Sequence, residues 1–381
     1  MPGLLILITS VFLANTSASN FGAVDLHAHL FMKEGMTWLF RGDFNAPLRA
    51  TNVNQLWSSK VNADALIQSN LSIVVVSLYA HPLATVSLRA SILRQIDQAE
   101  KFVRENPGWV IARSANEAGN ALSIGKRVLV LSLETASGIL ETEDDLKTFI
   151  DERGIRIVTF MHLTGDHFGG VAFLKGLHIL SSPLDWLRSL AFPYRDTDGI
   201  LVNHVGLSSD GRKMIEALLK RKVWIDLAHS SDETQRTLIP MLEQAGQPLL
   251  YTHTAIRDLF RAERSISKSQ LEEVRKTGGM IGLIPSEGML EVPEQKDCDS
   301  SMRALAEEFV AASKIIGPDA VTIGSDINAP LKGIHACGSD YITYEQVPKL
   351  WNDLVKLGAP IPEPAGKLSE HFLSAWARVN P

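Results

Sequence analysis

Cysteine is nearly absent from this sequence: the 381 residues include only Cys298 and Cys337. Two thiols so far apart are too few for a cysteine-type zinc site. Both lie in polar, loop-like sequence. In an exported protein this placement is compatible with a disulfide, whereas in a cytosolic protein it leaves two free thiols, and both alternatives stay open.

A dense block of lysine or arginine is also lacking, and the formal net charge is -6. Nucleic-acid binding depends on clustered cations, so the charge pattern argues against a nucleic-acid partner. With 45% hydrophobic and 21% charged residues, the composition is that of a globular protein and excludes extensive disorder. We therefore expect a small-molecule substrate.

No apolar run is long enough to cross a bilayer comfortably, including Leu4–Ala14 near the N-terminus. That run is followed by small polar residues and by Thr16-Ser-Ala18, a site of the kind that signal peptidases cut. We predict a signal peptide at residues 1–20, a secreted or periplasmic protein, and a single domain at residues 21–381 without a transmembrane span. Because Met1-Pro2-Gly3 carries no lysine or arginine, a buried first strand or helix in a cytoplasmic protein is the alternative.

One sequence pattern repeats along the chain: an apolar run, a loop, and an amphipathic helix. Eight such runs are present: Phe21–His27, Leu71–Tyr79, Arg127–Glu134, Ile155–His162, Val223–His229, Pro248–His253, Met280–Pro285 and Ala320–Asp326. Helical sequence separates them, for example at Asp232–Gln244. Eight strand–helix units predict an α/β fold, a (β/α)8 TIM barrel. A doubly wound open sheet is the alternative.

Ionisable side chains follow these runs where each predicted strand ends. The candidates for the metal ligands are His27, His29, Glu134, His229, His253 and Asp326, and His162 joins them at the end of the fourth run. The C-terminal strand ends of a barrel converge, and imidazole and carboxylate groups are the ligands that Zn²⁺ prefers. Six ligands exceed the need of one tetrahedral zinc. The pattern predicts two Zn²⁺ ions that share a bridging carboxylate and hold a hydroxide between them.

The sequence resembles the membrane (renal) dipeptidase family, peptidase family M19, of the amidohydrolase superfamily. Four segments carry the likeness in the family's order and spacing: Gly211-Arg-Lys-Met-Ile-Glu-Ala-Leu, Trp224-Ile-Asp-Leu-Ala-His-Ser, Tyr251-Thr-His-Thr-Ala and Lys276-Thr-Gly-Gly-Met-Ile-Gly. Weaker likeness extends over most of Val24–Val379. The resemblance implies a TIM barrel of the metal-dependent hydrolase type and a zinc-dependent dipeptidase whose metal-bridging hydroxide attacks the peptide carbonyl.

The same resemblance implies a role for each candidate residue. His27 and His29 would hold one metal, His229 and His253 the other, and Glu134 would bridge them. His162 would face the substrate and stabilise the developing oxyanion, which makes it both a binding and a catalytic candidate. Arg264 would bind the substrate carboxylate, and Asp326, near the first metal, would transfer the proton. A surface arginine paired with Glu263 or Asp258 is the alternative for Arg264.

The sequence also departs from the family. His29 stands where the family usually has aspartate, Glu134 is followed by Thr-Ala-Ser instead of Gly-Gly-His, and residues 163–206 form an unusually long, aromatic connection, here called the insert. The insert and the loop Phe31–Phe44 are candidates for a pocket wall, a homodimer contact or both. Hydrolysis of N-acyl amino acids, lactones or other esters is therefore a second hypothesis. A metal-binding receptor without turnover is a third.

Overall fold

The computed structural model describes residues 22–32, 59–81, 85–163, 167–176, 182–292, 297, 299–329, 331, 333–336, 339–341 and 343–381. The predicted signal peptide at residues 1–20 and the two cysteines lie outside these residues. Most of the loop from Phe31 to Phe44 does so as well. Among the described residues, no helix combines the length and the apolarity that crossing a bilayer requires.

Eight parallel strands form a closed barrel with a ninth strand at its edge. In chain order the nine are β1 Ala23–Ala28, β2 Leu71–Leu78, β3 Trp109–Ile111, β4 Arg127–Glu134, β5 Ile157–Thr159, β6 Trp224–Asp226, β7 Leu250–Thr254, β8 Met280–Leu283 and β9 Val321–Ile323. The barrel closes because β2 pairs with β4 from Ile73–Val128 to Leu78–Leu133. This closure confirms the predicted (β/α)8 barrel and excludes the doubly wound open sheet.

Strand β3 is the element that the repeat did not predict. It pairs with the first residues of β4, while β5 pairs with the last ones from Ser132 to Glu134, so the two share one side of β4. Two further short strands, β10 Ile334–Ala336 and β11 Ser339–Tyr341, form a separate antiparallel pair. Each of the eight predicted runs coincides with one of the barrel strands, although β1 and β7 extend one residue beyond their runs.

Helices surround the barrel. They are α1 Ala63–Gln68, α2 Leu88–Glu105, α3 Ala115–Ser123, α4 Glu143–Asp145 with its π-helical continuation Leu146–Glu152, α5 Pro183–Ala191, α6 Ser209–Lys220, α7 Asp232–Gln244, α8 Lys268–Thr277, α9 Ser300–Ile316, α10 Val347–Lys356 and α11 Gly366–Ala377. Helix α7 has the predicted bounds because Ser231 caps it by accepting the N–H of Thr234. Ser208 likewise caps α6 through Gly211.

Two apolar clusters make up most of the core among the described residues. Strand residues such as Val74 and Leu129 pack outward against α2 in one cluster. A second cluster joins residues near the strand beginnings, such as Trp224 and Met280, to Phe372 and Trp376 of α11. This second cluster fills the N-terminal end of the barrel. The C-terminal end, called the mouth below, is where polar side chains can gather.

Candidate metal centre

Every predicted site residue lies at the mouth. His27 is the second-last residue of β1, Glu134 is the last residue of β4, and His253 is the second-last residue of β7. His162, His229 and Asp326 each follow the last residue of a strand by three positions. Parallel strands of one closed barrel thus bring six separate chain segments to a common point.

The carboxylate of Glu134 is the centre of this cluster. Its Oε1 lies 3.5 Å from Nε2 of His27, 3.5 Å from Nε2 of His162, 3.4 Å from Nε2 of His229 and 3.5 Å from Nε2 of His253, and its Oε2 lies 3.3 Å from Nε2 of His29. Five imidazoles therefore point the same ring nitrogen at one buried carboxylate.

Asp326 joins the cluster from the side of His29. Its Oδ1 lies 3.2 Å from Nε2 of His29 and 3.9 Å from Nε2 of His27. The backbone φ of Asp326 is 49°, and that of His229 is 66°. Left-handed backbone is uncommon for residues other than glycine and concentrates at functional sites.

A shift in strand pairing places the His-x-His segment. The register between β1 and β2 shifts between Asp25 and Ala28, and such irregularities re-aim side chains. The Asp25 carboxylate accepts hydrogen bonds from the Ser325 N–H at 2.9 Å and the Tyr344 hydroxyl at 2.8 Å. His27 and His29, in contrast, both reach Glu134.

Thr252 fixes the protonation of two of the imidazoles. Its hydroxyl donates to Oδ2 of Asp226 at 2.6 Å, so its single proton is committed. The hydroxyl oxygen lies 3.0 Å from Nδ1 of His27 and 2.9 Å from Nδ1 of His253, and it can only accept from both. Both rings therefore carry their proton on Nδ1. This leaves Nε2 as a free lone pair that faces Glu134.

His29 is fixed in the same way by a backbone carbonyl. Its Nδ1 lies 3.1 Å from the carbonyl oxygen of Ser77, which can only accept a hydrogen bond. Nε2 of His29 is then the atom that can bind a metal ion. Anchoring of one ring nitrogen by a carbonyl or hydroxyl is the usual support of a metal-binding histidine.

Burial and the central carboxylate control the charges. Burial lowers the pKa of His27 to about 4 and also lowers the pKa values of His162, His229 and His253. Burial alone would also lower the pKa of His29, but hydrogen bonds to Asp326 and Glu134 outweigh it and raise that pKa to about 10.

Glu134 itself stays ionised. Burial favours its neutral form, but the surrounding histidines, with His162 and His27 contributing most, hold its pKa well below the usual value. Four imidazoles with lowered pKa values and one ionised carboxylate form a donor set that suits a divalent cation, and His29 would have to release its Nε2 proton to join it.

The residues present fit metal ions. The ligand atoms of three groups lie within 4.8 Å of one another: His27, His29 and Glu134; His27, Asp226 and His253; and Glu134, His162 and His229. Within the described residues, buried Nδ1 of His229 makes no hydrogen bond, and Nε2 of His229 lies 2.8 Å from Nε2 of His253. Because Nε2 of His253 has no proton, Nε2 of His229 donates to it when protonated, and the two nitrogens can bind one cation together once His229 carries its proton on Nδ1.

Arg264 lies in the loop between β7 and α8 and is 5% exposed. One of its N–H groups donates to the carbonyl of His253 at 2.9 Å, and within the described residues it forms no salt bridge. Burial lowers its pKa to about 10, while Asp226 and Asp326 oppose this shift. It is therefore a buried cation beside the metal cluster and not a surface arginine paired with Glu263 or Asp258.

Asp226 and Thr252 were not among the predicted site residues. A signal was present, since each is a polar residue inside an apolar run that ends at a histidine. The same region is closely packed: a Cβ added at Gly282 or Gly324 would lie 2.2 or 2.0 Å from the carbonyl oxygen of Thr252. Glycine at both positions lets β8 and β9 approach the strand that carries Thr252 and His253.

The fold and the cluster together define a parallel (β/α)8 barrel with a histidine–carboxylate metal centre at its mouth. The sequence profile of the family described as "Membrane dipeptidase (Peptidase family M19)" matches residues 15–175 and 185–379. The chain belongs to this family, which confirms the resemblance seen in the sequence.

Individual relatives are distant. An uncharacterized protein in the PQQ-III 3' region of Acinetobacter calcoaceticus is 25% identical over 217 residues, which are 57% of this chain. "Dipeptidase ataJ" from Aspergillus terreus is 25% identical over 267 residues, or 70% of this chain. The matched segments span 61% of the length of each of these two relatives.

Solved structures share the fold. A structure described as dipeptidase AC, a metallopeptidase of family M19, superposes with a TM-score of 0.69 at 17% identity and covers 94% of this chain and 99% of that chain. A metallopeptidase from Rhodobacter sphaeroides, bound to a phosphinate mimic of L-Ala-D-Ala, gives 0.69 at 16% identity with the same coverage of both chains. At these identities the likeness shows the fold alone.

Proposed function

We propose that this protein is a dipeptidase that uses two zinc ions to cleave the peptide bond of a dipeptide with a free C-terminal carboxylate. Family membership and the five imidazoles around Glu134 support metal-dependent hydrolysis. The observation that carries the substrate class is Arg264, a buried guanidinium without a carboxylate partner among the described residues. Such a cation is stabilised by an anion that enters with the substrate.

His27 and His29 would hold the first ion, His229 and His253 the second, and Glu134 would contact both. Bound there, the ions supply an activated water and a polarised carbonyl. Asp326 accepts a proton at its carboxylate from the attacking water and returns it to the leaving amine. His162, whose ring centroid is 4.6 Å from that of His229, donates to the carbonyl oxygen as negative charge develops there.

Arg264 orients the substrate by its carboxylate, and the test is built on that contact. A lost hydrogen bond to a charged group typically costs about 1.5 to 3 kcal/mol, so Arg264→Ala should lower kcat/KM for free dipeptides by roughly 10- to 100-fold. Each dipeptide is compared with its C-terminal amide. The wild-type protein should strongly prefer the acid, and the variant should lose that preference while it retains its metal.

Equal wild-type rates on acid and amide would refute carboxylate recognition and favour the ester or lactone hypothesis. N-acyl amino acids are the second candidate substrates, because they offer Arg264 the same carboxylate. Comparing each dipeptide with its N-acetyl form separates these two. Because a structural relative was solved with a mimic of L-Ala-D-Ala, the substrate panel includes D-residues at the second position.

A further inference from the structure

Glu263, the neighbour of Arg264, is 2% exposed and binds three backbone N–H groups with one carboxylate. Its Oε2 accepts from Phe173 at 2.8 Å and from Asn203 at 2.9 Å, and its Oε1 accepts from Asp232 at 3.0 Å. Phe173 lies in the first part of the insert and Asn203 in its last part. Asp232 begins α7, three residues after His229.

Arg257 closes the loop that carries Glu263 and Arg264. Its Nε donates to the carbonyl of Ser265 at 2.9 Å, and Nη2 donates to the carbonyl of Glu263 at 2.8 Å. The guanidinium also forms a two-pronged contact with Asp232, at 2.7 and 2.8 Å, and reaches Asp196 of the insert at 3.3 Å. All five N–H groups of this buried arginine have acceptors, so the loop is held in one shape.

The insert is fastened to the segment after His229 as well. The Ala172 N–H donates to the carbonyl of His229 at 2.8 Å, and the Ser231 N–H donates to the carbonyl of Gly170 at 3.0 Å. The Ser231 hydroxyl donates to the carbonyl of Val205 at 2.7 Å. The insert, the start of α7 and the Arg264 loop therefore form one hydrogen-bonded unit with the carboxylate of Glu263 inside it.

We propose that Glu263 is a positioning residue for Arg264, through which the insert determines how the guanidinium meets the substrate carboxylate. The inference rests on the proposed function. Among the described residues, the Arg264 side chain has a single hydrogen bond, to the His253 carbonyl, and the Arg264 carbonyl accepts from the Thr254 hydroxyl at 3.3 Å. The position of the backbone at residues 263–264 therefore controls where the guanidinium lies.

The test replaces Glu263 by glutamine, with Glu233→Gln as the matched control. Glu233 lies in the first turn of α7, and in the part of the chain that the structure describes its partly exposed carboxylate pairs with Arg236 alone, at 3.3 Å. An amide cannot accept at both ends, so Glu263→Gln leaves at least one of the three N–H groups without an acceptor. Hydrogen exchange of the Phe173, Asn203 and Asp232 amides should then accelerate, whereas the control should leave it unchanged.

Kinetics separate positioning from general support. Glu263→Gln should raise KM for dipeptide acids by roughly 10-fold with kcat within about 2-fold, and kcat/KM for the dipeptide amides should stay unchanged. If the glutamine variant does not fold, Glu263→Asp, which keeps both carboxyl oxygens but withdraws them by one methylene, should show the same changes to a smaller extent.

Two results overturn the inference while the proposed function stands: unchanged exchange at all three amides, or faster exchange with a full preference for the acid. Equal wild-type rates on acid and amide overturn the proposed carboxylate recognition itself. In that case faster exchange would identify Glu263 as a purely structural residue.

Discussion

Thr252→Val should weaken metal binding without removing any ligand. Valine has nearly the shape of threonine but no hydroxyl, so the Nδ1–H groups of His27 and His253 lose their shared acceptor and Asp226 loses a donor. A buried donor without a partner costs about 1 to 3 kcal/mol. Without metal, each ring can avoid part of this cost by moving its proton to Nε2, which faces Glu134.

This change of tautomer is not possible when a metal ion is bound, because Nε2 must then be unprotonated. The penalty therefore falls mainly on the metal-bound state, and we expect each ion to bind roughly 10- to 100-fold more weakly, as is typical when the support of a metal ligand is lost. Since one hydroxyl supports a ligand of each proposed ion, both affinities should fall together. Competition with a chromogenic zinc chelator measures the two dissociation constants.

Thr252→Ser keeps the hydroxyl and should bind metal as the wild type does. Thr322→Val is the matched control, because Thr322 is also a fully buried strand threonine, and its hydroxyl donates to the carbonyl of Val24. It should lower stability but leave metal affinity unchanged. Dissociation constants for Thr252→Val within 2-fold of wild type would refute the account of the tautomers.

Three further predictions concern buried carboxyl groups. Glu134→Gln removes the charge that offsets the repulsion between two ions, so metal analysis should find at least one equivalent lost together with activity. Asp326→Asn should keep most of its metal but lose on the order of 10²-fold or more in kcat, because the proton acceptor is gone. In Glu308→Gln, the free energy of unfolding should fall less steeply with rising pH than in the wild type. Urea unfolding at pH 5, 6 and 7 measures this difference. Burial raises the pKa of Glu308 well above its usual value, so the folded protein keeps a proton that the unfolded chain releases. Wild-type stability should therefore fall by up to about 1.4 kcal/mol per pH unit above pH 4.5 through this group.

Each of these has an opposing outcome. Two full metal equivalents in Glu134→Gln would rule out the bridging role, and a metal-free Asp326→Asn would make Asp326 chiefly a ligand. The exposed neighbour Glu307 provides the control for Glu308, since Glu307→Gln should not alter the pH dependence. An unchanged pH dependence in Glu308→Gln would show that another group is responsible.

The barrel and the ligand cluster could be predicted because both follow from local sequence. Apolar runs that end in His229 or His253 predict strands, and parallel strands of a barrel end at the same face. Strand β3 was missed because three residues are too few to show the alternation that predicts a strand. The shift in register beside His27 was missed for a different reason, since alternation assumes regular pairing.

The supporting contacts could not be predicted because they join distant positions. Glu263 lies 90 residues from Phe173 and 60 from Asn203 in the sequence, and nothing local to Glu263 indicates that its carboxylate binds their N–H groups. Thr252 similarly supports His27 from 225 residues away. Residue types suggested the metal ligands, but the three-dimensional fold was required to show what holds them.

The insert is attached to the barrel at two points, so the segment between them can vary in sequence and length. Glu263 binds the Phe173 and Asn203 N–H groups with one carboxylate oxygen, so the barrel keeps these two attachment points when the chain between them changes, provided that Asp196 keeps its contact with Arg257. Closing a flexible loop of twice the length costs only about 0.6 kcal/mol more. Helix α5, with Leu184, Leu187 and Leu190 exposed, lies within this tolerant stretch. Its length and surface can therefore diverge between relatives while the metal centre is preserved.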